Sequence, residues 1–285
     1  MKTQKICSKR APLSTALVFL CFSGAMLLAP TPHADALELH LPGLIQGAGD
    51  PQPGNVSIDK FRGLLEQVSD LMVPLNTDGG NTSGALGFEA GVGLGFGVIS
   101  GGNAGWEDAT RNSSNAVSVL AIGLRKGLPW ATELGMYMSN IPNSSIWAFG
   151  VELEAAPVDG LAHIPDISIA TGVGSSAGTG DMSMVMVSNR VTVSKNFAPS
   201  VQFALVPFVG FQSIFVRGFI SVLTSPKTGS GPSTEWSEQL PPATLGWVNR
   251  GVGGIRGLLG PMNITLATSM SQRTKKITLQ FGLRY

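Results

Sequence analysis

Residues 84–100, GALGFEAGVGLGFGVIS, put Phe88, Ala90, Val92, Leu94, Phe96 and Val98 on even positions and Glu89, Gly91, Gly93, Gly95 and Gly97 on odd ones. Side chains alternate along a strand, so one face is apolar and the other carries glycine and a single carboxylate. A half-buried strand of a soluble sheet turns its apolar face to a core and a polar face to water. Here the second face is nearly bare, which suits the crowded interior of a small closed barrel, and the apolar face then requires hydrocarbon around it. Among sheets, only a closed one satisfies every backbone polar group in lipid. The expectation is an all-β protein: a closed, antiparallel transmembrane β-barrel.

The same alternation recurs along the chain. Leu120, Ile122 and Leu124 oppose Ala121, Gly123 and Arg125 in a strand over 116–125, and Leu134, Met136 and Met138 oppose Glu133, Gly135 and Tyr137. Trp147, Phe149, Val151 and Leu153 oppose Ala148, Gly150, Glu152 and Glu154. Strands over 166–173 and 182–195 follow, the second blurred by Met182, Met184 and Met186, and three more occupy 247–259, 262–270 and 275–285. Residues 196–216 run without a charge, the length of a membrane helix, which supports an inner-membrane or soluble periplasmic alternative. Pro207, Gln202, Gln212 and the period-two order of Val201, Phe203 and Leu205 favour a strand instead. The count comes to ten strands within a range of eight to twelve, with 214–224 as the candidate eleventh. Long polar loops at 101–115 and 225–242 face short turns at the other end, which places both termini in the periplasm.

The N-terminus bears on the compartment. Lys2, Lys5, Lys9 and Arg10 precede an uncharged apolar run over 11–32 and a small-residue site, Ala34-Asp35-Ala36. That order reads as a secretory signal peptide over 1–36. Phe19, Leu20 and Phe22 around Cys21 are too bulky for lipoprotein processing, and both cysteines, Cys7 and Cys21, fall within the leader. The chain then has no thiol, disulfide or cysteine-held metal after cleavage. Of the 19 basic and 18 acidic residues, loss of Lys2, Lys5, Lys9, Arg10 and Asp35 with the leader leaves 15 against 17, no basic footprint, so nucleic acid is not an expected partner. Charged residues make up 13% of the chain, against about a quarter in soluble proteins, which fits lipid on one side and a tight lumen on the other.

Between leader and barrel, residues 37–83 hold one helical pattern. Ile58, Phe61, Leu64, Leu65, Val68, Leu71 and Met72 share a stripe, with Asp59, Lys60, Arg62, Glu66, Gln67 and Asp70 opposite, Ser57 as cap and Pro74 as stop. Two readings stand: a helix packed against a barrel end or within a domain of its own, or a plug whose apolar stripe enters the lumen.

Ile277, Leu279, Phe281, Leu283 and Tyr285 alternate up to an aromatic last residue. This resembles the C-terminal assembly signal of bacterial outer-membrane proteins, and implies the barrel-assembly machinery and outer-membrane lipid as partners. The order of helix, glycine-rich bend, LGFEAGVG strand and GLPWATELGMYM over 127–138 is similar to an uncharacterised family of barrels loosely related to the fatty-acid-transporter (FadL-like) group. That resemblance implies a lumen plugged by N-terminal segments and passage of hydrophobic molecules.

Chemistry is sparse. His40 and His163 are far apart, without an acid–base partner or a metal-ligand spacing, so no enzyme activity, metal or cofactor is expected. Gly172, Gly174 and Ala177 match a dinucleotide fingerprint in spacing, yet Gly178, Gly180 and Asp181 cannot open the helix it requires. The candidate functional residues are lumen-facing charges: Glu89, Arg125, Glu133, Glu152, Glu154, Arg190 and Arg284. They form either an ion-pair network filling the interior or the lining of a narrow path for small or hydrophobic solutes. A channel and a non-transporting structural or surface-interaction barrel both follow from this pattern.

Overall fold

A computed structural model describes residues 39, 58–75, 80, 82–100, 105–110, 115–160, 164–178, 182–200, 203–220 and 243–285. The leader expected at 1–36, the loop at 225–242, His40 and His163 lie outside the described residues. The helix α1 is Ile58–Met72, followed by β1 (Phe88–Ile99), a one-turn helix α2 (Trp106–Ala109), β2 (Ala116–Leu128), β3 (Thr132–Asn140), β4 (Trp147–Val158), β5 (Asp166–Ala177) and β6 (Met182–Ser194). Then come β7 (Phe197–Ser200), β8 (Phe203–Ile220), β9 (Thr244–Leu259), β10 (Met262–Ser271) and β11 (Thr274–Arg284).

Ten of these strands close into an antiparallel barrel. The sheet runs from β1 through β6 in sequence order, passes from β6 to β8, continues to β11 and returns to β1. The closing seam pairs β1 with β11 from Glu89↔Arg284 to Ile99↔Thr274. The uncharged run is strand rather than helix: β8 is continuous through Ile220, so its residues from Ile214 to Ile220 are not a separate eleventh strand. β7 is a short return paired only with β8, at Phe197↔Leu205 and Ser200↔Phe203. Pro207 lies one residue beyond the last β6–β8 pair, Ser194↔Phe208, where an N–H is not needed by that ladder.

Alternation sets the outside. Val92, Leu94, Phe96 and Val98 on β1 and Ile277, Leu279, Phe281 and Leu283 on β11 are exposed. Equivalent rows run over Trp147, Phe149, Val151 and Leu153 and over Phe211, Phe215 and Phe219. With water outside, this surface would be a continuous apolar sheath far beyond the few hundred Å² a soluble monomer shows. In lipid it is the solvated side. Aromatic residues ring both ends, Trp147 and Trp247 near one and Trp130 and Tyr285 near the other, as amphipathic rings do at membrane interfaces. Leu279 sits mid-strand opposite Leu94 and Leu266. Leu279→Arg is expected to cost about 2–4 kcal/mol, read as the shift in reversible urea unfolding from lipid vesicles; an unchanged midpoint would place this face away from hydrocarbon.

The barrel has a loop end, joining β1–β2, β3–β4, β5–β6, β8–β9 and β10–β11, and a turn end, where β1 begins and β11 finishes. The helix α1 is at the loop end, inside. Apart from its first turn and Arg62 it is buried, polar side included: Glu66, Gln67 and Asp70 are shielded along with Phe61, Leu64, Leu65, Val68, Leu71 and Met72. Leu39, upstream of the helix, bridges Thr110 in the β1–β2 connection, so it lies at the loop end, opposite the start of β1. Bare wall positions make room for the helix. A Cβ on Gly97 would overlap a Leu71 methyl, and one on Gly218 would overlap the Leu65 methyls. Eight strands leave space only for wall side chains; ten strands with gaps at these positions admit a helix.

Candidate functional site in the barrel interior

The interior of the loop half has two sides, matched to the two sides of α1. Toward β2, β4, β6 and β8, the stripe of Phe61, Leu64, Leu65 and Val68 belongs to one buried apolar cluster with Val117, Val119, Ala148, Met182, Met184, Met186, Ile214 and Val216. The three methionines that blur the β6 pattern face inward for this reason. Trp106 and Ala109 of α2 and Leu39 join the same cluster and cover the helix from the loop side. Toward β9, β10 and β11 the contacts are polar. Asp70 receives Arg250 Nη1 at 2.9 Å and the hydroxyls of Ser271 and Thr274, and Glu66 accepts Arg273 Nε at 3.0 Å.

The C-terminus of α1 points down the lumen, where its last carbonyls lack helical partners and carry the negative end of the helix dipole. No basic residue lies in its own last turn; the wall supplies two. Arg250 donates to the carbonyls of Asp70 (2.6 Å), Val73 (3.0 Å) and Pro74 (3.2 Å) and to Gln212 Oε1. Lys276 Nζ reaches the carbonyls of Leu71 (3.0 Å) and Val73 (3.1 Å). Both cations are shielded from solvent. Burying a charge is unfavourable unless it is paired and hydrogen-bonded, and here both partners are part of the inserted segment. On the opposite wall Ser139 Oγ donates to Met72 O at 2.7 Å. The helix end is thus held from three strands.

Below the helix, described residues on either side of 76–79 contact the lumen wall. Leu75 packs with Phe208, Val252 and Ala267. Thr82 donates N–H and Oγ1 to Asp159, Ser83 donates its N–H and hydroxyl to Glu133, and Arg284 Nη2 donates to Thr82 O at 2.9 Å.

The seven candidate charges are distributed as follows. Arg125, Glu133, Glu152, Glu154 and Arg190 converge in one cluster on the β2–β6 side: Arg125 contacts Glu133 (3.5 Å), Glu152 (3.2 Å) and Glu154 (3.1 Å), and Arg190 contacts Glu152 (3.0 Å) and Glu154 (3.2 Å). Glu89 stands apart with Arg256 (2.6 Å) and Asn263 (3.1 Å). Glu89 and Arg284 are Cα partners across the seam, yet Arg284 turns to the threaded chain and Arg256 takes the carboxylate. Arg250, Arg256, Lys276 and Asp70 were missing from the candidate set. The signal was present: Arg250 and Arg256 share the inward parity of Val248 and Val252 on β9, and Lys276 that of Thr278 on β11.

A cavity of about 70 Å³ remains beside Leu71, Val73 and Leu75, bounded by Gly93, Tyr137, Arg125, Glu152 and Lys276. Since one water needs roughly 10–15 Å³ of such volume, the cavity holds several waters or a very small solute. Among the described residues no three His, Cys, Asp or Glu side chains gather as a metal site would require.

No protein-family model matches the sequence, and no curated protein is similar to it. Among solved structures it is similar to the β-domain of the Bordetella autotransporter BrkA (15% identity over 70% of this chain and 99% of that one, TM-score 0.35). It is also similar to the translocator domain of the autotransporter NalP from Neisseria meningitidis (13%, 78% and 92%, TM-score 0.33) and to the N-terminal β-barrel domain of Pseudomonas aeruginosa OprF (8%, 69% and 97%, TM-score 0.28).

Proposed function

We propose that this chain is an outer-membrane barrel that serves as a narrow conduit for small solutes and is held shut by its own α1. The observation that carries this reading is the mode of attachment. The helix is inserted, not part of the wall, and its inner end is held by hydrogen bonds to Arg250 and Lys276. Such bonds can be exchanged for water and ions when the helix leaves. The charged, glycine-lined space beneath fits small polar solutes better than acyl chains, so what is taken from the FadL-like resemblance is the plug and not the cargo. On this reading the protein is not an enzyme. Ile277, Leu279, Phe281, Leu283 and Tyr285 address it to the barrel-assembly machinery, and a leader over 1–36 takes it through the inner membrane.

The apolar packing of Phe61, Leu65 and Val68 favours a second reading, a permanently filled structural barrel. Liposome swelling and planar-bilayer recording decide between them. The full barrel is expected to be silent or nearly so, and deletion of residues 57–73 to raise small-solute flux clearly while heat-modifiable migration on a gel persists. A folded deletion variant with no flux would leave the structural reading.

A further inference from the structure

We infer that the barrel carries its own N-terminal segment through the lumen, so that the chain preceding α1 is delivered to the loop end, opposite the start of β1 and the end of β11. The path is marked at each level by described residues. At the loop rim Ile58 and Asp59 are exposed and Arg62 donates to Leu245 O. One level down, Glu66 and Asp70 meet Arg273, Ser271 and Thr274, all at or beside the β10–β11 loop. Mid-barrel, Val73 and Pro74 meet Arg250. At the turn end Thr82 meets Asp159 and Arg284, and the chain enters β1 at Phe88. The described chain therefore crosses the barrel once, from loop end to turn end. Upstream of α1, Leu39 is still at the loop end, bridged to Thr110. A plug inserted from the turn end and returning there would need a second pass. Among the described residues, the turn half is occupied by Leu75, Thr82 and Ser83, the Arg125–Arg190 cluster and the Glu89–Arg256 pair.

In an outer membrane with its turns inward, Leu39 and the start of α1 then face the cell surface. This rests on the outer-membrane reading above for its direction, but not on whether the lumen conducts. Single cysteines in a background with Cys7 and Cys21 replaced by serine test it, using a membrane-impermeant maleimide on intact Gram-negative cells expressing the full chain. Asp59→Cys reports the helix start, Gln272→Cys the loop end of the wall, and Trp130→Cys the turn end; all three native residues are exposed. Labelling of Asp59→Cys and Gln272→Cys, with Trp130→Cys labelled only after lysis, is the expected result. Labelling of Gln272→Cys without Asp59→Cys overturns the threading. Labelling of Trp130→Cys alone overturns the surface delivery by reversing the barrel, a failure of direction distinguishable from a failure of threading.

Discussion

Arg250→Met frees the inner end of the helix without breaking the barrel. The guanidinium is fully buried and joins Asp70, two carbonyls beyond it and Gln212. Methionine keeps the bulk and removes every donor. Asp70 is left with two hydroxyls for its charge, and removing one partner of a buried pair costs about 3–5 kcal/mol. The loss falls on local opening of α1, because the wall strands keep their ladders. Amide exchange across residues 64–72 is expected to accelerate by roughly two to three orders of magnitude, with β1 and β11 unchanged. A Ser69→Cys probe, buried in the native protein, becomes reactive in the same variant. Retained protection would mean that Lys276 and the apolar stripe suffice to hold the helix.

Gly218→Phe displaces the same helix by volume alone. A side chain on Gly218 meets Leu65, which is fully buried against the β8 wall. Close-packed interiors cannot absorb a ring, and overpacking of this kind costs about 1–3 kcal/mol or more. The expected result is loss of α1 protection with all luminal charges intact. Adding Leu65→Ala returns volume where the ring is placed and is expected to restore much of that protection, giving a coupling energy of about 1–2 kcal/mol in the double-mutant cycle. Additive effects would show that the ring has gone elsewhere than the lumen.

The wall was readable from the sequence because lipid imposes a period of two on every strand, and β1, β4 and β11 display it with few exceptions. The helix was equally plain from its stripe. Its position was not, because an amphipathic pattern is normally completed by water on the polar side. Here the polar side is completed by Arg250 of β9 and Arg273 of the β10–β11 turn, and the helix end by Lys276 of β11, donors that lie 180 or more positions later. Glu89 and Arg284 illustrate the same limit: register made them neighbours, but side-chain length and the threaded Thr82 decided the partners. Met182, Met184 and Met186 obscured β6 because they pack against an object inside the barrel that strand periodicity does not include. Ile214 suggested a new strand because β8 is longer than the barrel needs.

That extra length makes the wall uneven. β8 has 18 residues and β3 only 9, and at about 3.3 Å per residue with a tilt near 40° these rise roughly 45 Å and 23 Å. The surrounding bilayer thus meets a tall flank of Phe211, Phe215 and Phe219 and a low one at Leu134 and Met136. Lipid beside the low flank is expected to thin, at a cost of fractions of a kcal/mol per Å of mismatch. A wall uneven in this way is expected to lean toward its low flank, which polarised infrared spectroscopy of oriented bilayers would read as a strand tilt that changes with lipid chain length.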